Sequence, residues 1–301
     1  MCGFGTMGSG SVVRSLPGQT REWLKTLGVR PSKALGQNFL VDRNILDILM
    51  RTAEPDPHDA VLEAGPGLGT LTERLLAAYG AVTAVEKDAR LAAFLNERYA
   101  DEGRLCLLQG DMLAMDTDAL LAGESAGSPC LTRVVSNLPY AAGTRMLVNL
   151  VLSRAAPRSV TVTLQREVAQ RLVAPPGSRE YGTVSVWVRI RYDARIVKHV
   201  PPACFWPKPD VVSSIVDLRM REEGARDMAT IRRVRELSKR AFQQRRKQVI
   251  VALCRNDGKR LERDRYAAAL RYAGAKDADR AENLAPEQWV ALARALGEGG
   301  G

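Results

Sequence analysis

Five consecutive residues, Ser136-Asn137-Leu138-Pro139-Tyr140, combine an amide side chain, a proline-stiffened backbone and an aromatic ring. They follow the apolar pair Val134-Val135, which reads as a buried strand, and precede a helical pattern of Met146, Leu147, Leu150 and Val151. Such a turn leaves the carboxyl end of a strand, where open α/β sheets hold their ligands. These groups suit one task, holding a flat base that carries an exocyclic amine. The Asn137 amide oxygen and the Leu138 carbonyl accept the two amine hydrogens, and Tyr140 stacks on the ring. The plainer alternative is a strand-to-helix turn with an incidental tyrosine.

A second constellation lies upstream. Ala60 to Ala64 reads as a strand that runs into Gly65-Pro66-Gly67-Leu68-Gly69 and then a helix carrying Leu71, Leu75 and Leu76. Glycines at a helix start let a ligand approach the backbone closely. The spacing is not the dinucleotide fingerprint G-x-G-x-x-G, and Pro66 is unusual for that class. Glu86 comes 21 positions after Gly65, at the end of the next strand, where a carboxylate accepts ribose hydroxyls. Asp111 ends the strand after that and suits an adenine amino group. An adenosine-bearing cofactor is therefore expected. Glu63, just before the loop, disfavours a pyrophosphate and suits a cationic cofactor such as S-adenosylmethionine. The alternative for Glu63 is a carboxylate tied to backbone amides.

The elements that must position these groups alternate along the chain. A helix capped by Asp42 carries Ile45, Leu46, Leu49 and Met50 and ends before Pro55 and Pro57. Strands are predicted at Ala60–Ala64, Ala81–Val85, Leu105–Leu108, around Val134-Val135 and at Val160–Leu164, with helices from Asp88 and over Arg166–Leu172. This alternation predicts a mostly parallel sheet with helices on both faces. Beyond Pro175-Pro176-Gly177-Ser178, Val184, Val186 and Val188 alternate with other residues and Val211–Leu218 reads as a strand, so an antiparallel pair at the sheet edge is predicted. From Glu222 the pattern is helical and charged, with a boundary near Gly224. The expected division is a flexible leader over 1–32, a catalytic domain over 33–222 and a helical domain over 223–301.

Composition limits the classes. The 301 residues, 46% of them hydrophobic, suffice for a large core. No apolar run of about 18 residues exists, so no membrane-spanning helix is expected. The five cysteines form no C-x-x-C pair and only His58 and His199 are present. A zinc site and a disulfide framework are disfavoured, no metal is expected, and the reducing cytoplasm is the default location. The leader is rich in Gly, Ser and Arg and resembles an organelle transit peptide only weakly.

Taken in order, Gly36-Gln37-Asn38-Phe39-Leu40, Glu63-Ala64-Gly65-Pro66-Gly67-Leu68-Gly69 and Asn137-Leu138-Pro139-Tyr140 resemble the KsgA family, the small-subunit (16S) ribosomal RNA adenine dimethyltransferases. Gln165-Arg166-Glu167-Val168-Ala169, Pro176-Gly177-Ser178 with Tyr181-Gly182, the Phe205 to Pro209 stretch, Phe242 to Lys247 and Arg280 to Leu284 look like the same family. The resemblance spans Lys33 to Leu296. Departures are local: Ala64 stands where the family has Ile or Val, Gly143-Thr144 where it has Ser-Thr, and Asp210-Val211-Val212-Ser213 where it has Lys-Val-Asp-Ser.

The resemblance implies a Rossmann-like methyltransferase domain, with a mostly parallel seven-stranded sheet, and a small all-helical domain after it. The implied cofactor is S-adenosylmethionine. The implied reaction gives two adjacent adenosines in a 3'-terminal hairpin loop of small-subunit rRNA two methyl groups each, within an immature 30S-type particle, by a monomer. Carried over, Asn38 and Leu40 touch the methionine end of the cofactor, Gly65 lies under it, Glu86 holds the ribose, Asp111 holds the adenine, and Asn137 faces both cofactor and target amine. Asn137, Leu138 and Tyr140 are the catalytic set, and Tyr140 and Phe205 sandwich the base. No general base is needed, because the proton leaves readily after attack, and no histidine is required.

The positive charge is concentrated. Of the net +10, Arg219 to Arg265 contributes +9, with 16 Lys and Arg against 7 Asp and Glu. Arg232-Arg233, Arg235, Lys239-Arg240 and Arg245-Arg246-Lys247 stand out. RNA-backbone binding by this stretch, Arg245, Arg246 and Lys247 included, is expected; a solvated basic face is the alternative. Rival functions are an Erm-type large-subunit rRNA adenine methyltransferase, a non-catalytic assembly or transcription factor on the same fold, and a nicotinamide oxidoreductase. The last would require another glycine spacing and a hydride-handling residue.

Overall fold

A computed structural model of the chain describes residues 16–32, 36–124, 129–225, 227–254, 260–276 and 278–298. Residues 1–15 of the expected leader and Lys33-Ala34-Leu35 lie outside the described residues. In chain order the elements are α1 (Leu16–Thr26), β1 (Phe39–Leu40), α2 (Arg43–Ala53), β2 (Ala60–Ala64), α3 (Thr70–Ala78), β3 (Ala81–Glu86), α4 (Ala89–Arg98), β4 (Leu105–Gln109), α5 (Thr117–Ala122), β5 (Arg133–Asn137), α6 (Gly143–Leu152), β6 (Ser159–Gln165), α7 (Arg166–Val173), α8 (Thr183–Arg189), β7 (Tyr192–Val200), β8 (Phe205–Trp206), β9 (Ser213–Met220), α9 (Met228–Phe242), α10 (Val249–Cys254), α11 (Arg260–Tyr272) and α12 (Pro286–Glu298).

Seven strands form one sheet in the order β4-β3-β2-β5-β6-β9-β7. The first five pair in parallel, and β9 and β7 add antiparallel. The chain moves outward from β2 to β3 and β4, then returns to β5 on the other side of β2. The order therefore reverses between β2 and β5, and the loops leaving both strands open onto one crevice.

Neighbouring strand residues point to opposite faces. Val61 and Val135 pack with Leu46 and Leu49 of α2 and Leu75 of α3, whereas Leu62 and Val134 pack with Leu147 and Leu150 of α6. The Asp42 carboxylate caps α2 by accepting the Ile45 N–H at 3.0 Å, and Asp88 caps α4 by accepting the Arg90 N–H at 3.0 Å.

Two expectations are corrected. Val184, Val186 and Val188 lie in helix α8, not a strand. Val186 and Val188 are buried in the core, and the Trp187 indole N–H donates to Ser238 Oγ at 2.9 Å, so tertiary packing overrides the β preference of valine. The edge partner of β9 is β7 instead. Residues 16–26 of the expected flexible leader form α1, because Leu24 buries its side chain in a cluster with Val29, Leu68 and Leu91.

The expected boundary at 222/223 falls in the turn between β9 and α9. The buried Leu237, Leu253, Leu270 and Trp289 of α9–α12 nevertheless belong to the same apolar cluster as Leu147 of α6 and Val188 of α8. Among the described residues no helix is long and apolar enough to cross a membrane.

Candidate active site

The loop from Gly65 to Gly69 joins β2 to α3 and closes on β3. The Gly65 N–H donates to the Val85 carbonyl at 2.9 Å. Gly67 adopts φ +60°, and a Cβ there would come within 2.9 Å of the Phe39 ring; only glycine fits. Its N–H donates to Glu86 Oε2 at 2.9 Å, and the Asp88 N–H donates to Glu86 Oε1 at 2.8 Å. Each carboxylate oxygen keeps a lone pair for a further donor. Burial raises the Glu86 carboxyl above its ordinary pKa, against the backbone amides of Asp88, Gly67 and Lys87 that favour its charge.

Behind the loop, Glu63 is fully buried and accepts the Thr72 hydroxyl at 2.6 Å. Burial pushes its carboxyl up to about 8, with nearby Glu86 adding to the shift. From the outer side, Arg98 donates to the Leu68 carbonyl at 2.9 Å while its guanidinium lies 4.7 Å from the Trp23 ring of α1. Tyr99 donates its hydroxyl to the Gly69 carbonyl at 3.1 Å. The loop is gripped on both sides.

A cavity of about 220 Å³ opens at the β2/β5 crevice. All six expected cofactor residues, Asn38, Leu40, Gly65, Glu86, Asp111 and Asn137, line it. Asp111 accepts Lys87 Nζ at 2.8 Å and the Leu113 N–H at 3.0 Å, and Lys87 holds its carboxyl below the ordinary range. Arg145, on the first turn of α6, also lines the cavity.

The Ser136–Tyr140 turn is built into the sheet. Ser136 is buried and donates its hydroxyl to the Ala64 carbonyl at 2.6 Å, tying the end of β5 to the start of the glycine loop. The Asn137 Nδ2 donates to the Asn38 carbonyl at 2.8 Å, and the Thr163 hydroxyl donates to Asn137 Oδ1. The Pro139 carbonyl accepts the N–H groups of Ala142 and Gly143 at 3.1 and 2.7 Å, which starts α6.

The other sequence-assigned residues sit differently. The Tyr140 hydroxyl is hydrogen-bonded to Ser213 Oγ, and burial raises its pKa. Its ring meets Phe205 edge-on, with centroids 6.4 Å apart and planes at 67°. The expected sandwich is therefore not formed: two rings holding a base between them must lie face to face, and these touch. Phe205 is itself only 3% exposed, packed with Leu40 and Ile45. Leu138 and Tyr140 border the cavity wall at Asn137 and Pro139 without lining it.

Arg245, expected on RNA, makes bonds within the protein. It donates to Glu282 at 2.5 Å and to the Ser178 and Arg179 carbonyls at 3.1 and 2.7 Å. It pins the Pro176-Gly177-Ser178 loop to the C-terminal helices, so its Nε and Nη2 donors are committed within the protein. Arg246 and Lys247 are exposed. On α9 the outward bases are Arg232, Arg235 and Lys239, while Arg233 donates to the Ala293 carbonyl at 3.2 Å and Arg240 to the Leu253 carbonyl at 2.5 Å.

Thr163, Thr72, Lys87 and Arg145 escape sequence reasoning, which names Ser136 without its tie to Ala64. Thr161 and Thr163 do leave a trace, a polar alternation within Val160–Leu164 on a strand otherwise apolar.

Among known proteins, the family model described as ribosomal RNA adenine dimethylase matches residues 29–297. The chain is 36% identical to "Ribosomal RNA small subunit methyltransferase A" of Moorella thermoacetica over 283 residues, covering 93% of this chain and 97% of that protein. It is 39% identical to the protein of the same name from Anaeromyxobacter sp. (strain K), covering 92% of this chain and 97% of that one. Among solved structures it resembles the 23S rRNA methyltransferase ErmE, with a TM-score of 0.63 at 28% identity over 86% of this chain and 100% of that one. A dimethyladenosine transferase from Plasmodium falciparum shares the fold, with a TM-score of 0.69 at 22% identity over 84% of this chain and 95% of that one. With the glycine loop, its Glu86 anchor and the Asn137 turn converging on one cavity, this chain belongs to the ribosomal RNA adenine dimethylase family.

Proposed function

We propose that the chain transfers methyl groups from S-adenosylmethionine to the exocyclic N6 amine of two adjacent adenosines in a 3'-terminal hairpin loop of small-subunit rRNA, giving dimethyladenosines. The observation that carries this is the Asn137 amide, fixed in one orientation at the wall of a cavity whose other walls are Glu86 and the glycine loop.

The residues fit the cofactor. Glu86 has free lone pairs for ribose hydroxyls, Asp111 and the Leu113 turn suit the adenine edge, and Glu63, whose buried carboxyl is raised to about 8, lies behind the loop where a bound cation would favour its ionised form. Bound there, S-adenosylmethionine supplies an electrophilic methyl. Asn38 and Leu40 hold its methionine end.

Adenine's exocyclic nitrogen is a weak nucleophile because its lone pair is delocalised into the ring. Asn137 Oδ1 and the Leu138 carbonyl accept its two hydrogens, draw it out of the ring plane and stabilise the positive charge that develops on attack. The reacting atoms must meet in line at about 3–3.5 Å. Tyr140 covers one face of the base, and any role for Phe205 against the other face requires the ring pair to open. The nitrogen sheds its proton to solvent afterwards.

RNA is held chiefly by the helical unit over 223–301, through Arg232, Arg235, Lys239, Arg246 and Lys247. The substrate is an immature small-subunit particle, the working form a monomer and the location the cytoplasm. Transfer of label from S-adenosylmethionine to immature small subunits, followed by nucleoside analysis and mapping, tests the proposal. Label on large-subunit RNA instead would favour the Erm-type reading, to which the ErmE likeness points.

A further inference from the structure

We infer that Thr163 is a positioning residue for this reaction: its hydroxyl fixes which end of the Asn137 amide meets the target amine. The inference rests on the adenine-methylating reading above and concerns how that site is oriented.

The two residues face each other by register. Asn137 closes β5, and its partner across the parallel ladder to β6 is Thr163. Registered residues of adjacent strands share a face, so the two side chains must meet. Thr163 is fully buried, and its one hydroxyl hydrogen goes to Asn137 Oδ1. A β-branched side chain in a strand has little rotational freedom, so the donor stays aimed.

The other end of the amide is fixed by exclusion. The Asn38 carbonyl is an acceptor only, and Asn137 Nδ2 donates to it at 2.8 Å. Reversing the amide would set Oδ1 against that carbonyl. The Thr163 hydroxyl would then have to turn its hydrogen away to accept from Nδ2. The two partners therefore specify the same orientation, and each leaves the amide one free valence: a lone pair on Oδ1 and a hydrogen on Nδ2. An amine with two hydrogens needs the lone pair. A reversed amide would present hydrogens to hydrogens.

The division of labour is also asymmetric. Asn38 belongs to the segment that forms one cavity wall with Gly36 and Phe39, whereas Thr163 is set in the sheet. The threonine holds the oxygen whether or not that wall shifts when ligands enter.

The test compares Thr163→Val, of the same shape without the hydroxyl, with Thr163→Ser, which keeps it. The assay follows labelled methyl transfer to immature small subunits. One hydrogen bond of this kind is worth roughly a tenfold change. Thr163→Val is expected to lower kcat about tenfold with KM for S-adenosylmethionine within about twofold, and Thr163→Ser to restore most of it. In an Asn137→Ala background Thr163→Val should have no further effect, a result that general loss of packing would not give. Thermal midpoints of every variant exclude unfolding as the cause. Unchanged kcat in Thr163→Val, equal loss in Thr163→Ser, additive loss with Asn137→Ala or unfolding of both Thr163 variants would overturn the inference while leaving the proposed activity standing. A wild-type chain that leaves small-subunit RNA unmodified would overturn the activity and the inference with it.

Discussion

Glu86 and Gly67 act as one unit: the carboxylate that faces the ribose position accepts the N–H of the middle glycine at 2.9 Å. Glu86→Ala removes both the ribose acceptor and the anchor of the loop. Cofactor affinity measured by titration calorimetry should fall at least about tenfold, the low end of what one lost hydrogen bond to a charged group costs. Gly67→Ala should reproduce the loss without touching the carboxylate, since its Cβ would strike Phe39 at 2.9 Å. Full affinity in Gly67→Ala would disprove the coupling.

Asn137→Ala should cut kcat by about 10²–10³, the usual cost of deleting a group aimed at developing charge. The side chain is only half-buried at a strand end, so thermal melting should shift by no more than a few degrees. Near-normal turnover would rule out the amide's role.

Tyr140→Phe keeps the ring and loses the bond to Ser213; Tyr140→Ala loses both. Stacking on a base is worth about 1–3 kcal/mol. The alanine variant should therefore lose roughly five- to 150-fold in kcat/KM for RNA, with cofactor affinity intact, while the phenylalanine variant stays near wild type. A drop in cofactor affinity alone would contradict the assignment.

Arg245 and its two neighbours should separate cleanly. Arg245→Ala breaks three bonds within the protein and should lower the melting temperature. Arg246→Ala combined with Lys247→Ala should leave melting unchanged, weaken RNA binding and flatten its salt dependence by about 0.7–0.9 in log–log slope for each phosphate no longer neutralised. Equal melting of Arg245→Ala and wild type would remove the pin.

Glu63 predicts a pH dependence of stability. Its folded carboxyl is pushed up to about 8 from 4.5. Below about pH 4.5 both states are protonated and its contribution is full. As pH rises the unfolded chain ionises first, so stability falls up to about pH 8 and then levels, by on the order of 1.4 kcal/mol per pKa unit. Glu63→Gln keeps an acceptor for Thr72 and removes this loss. Its melting temperature should match wild type near pH 4.5 and exceed it increasingly toward pH 8; parallel curves would exclude the effect.

The parallel half of the fold was legible because fully buried strands such as Ala60–Ala64 are short apolar runs that end at glycine or an acid. Gly65, Glu86, Asp111 and Asn137 were legible because each stands at or just after such a strand end, whereas Asn38 and Leu40 came only through the family resemblance. Helix α8 was not, since its valines alternate like a strand and only their packing against α6 and α9 decides. The Tyr140–Phe205 pair, the inward turn of Arg245 toward Ser178 and Arg179, and the Thr163–Asn137 pair join residues 26 to 67 positions apart, and local pattern does not say which of them meet.

The latch from Arg245 to the 175–182 loop, together with the apolar cluster that runs unbroken from α6 to α12, bears on how this enzyme could be re-engineered. Transplanting the last eighty or so residues from a relative to redirect the target would import a foreign seam. A working chimera would have to keep the backbone path of the 175–182 loop, whose carbonyls Arg245 reads, and exchange the inner face of α8 along with the tail, so the inheritable unit of specificity here is a joint, not a module.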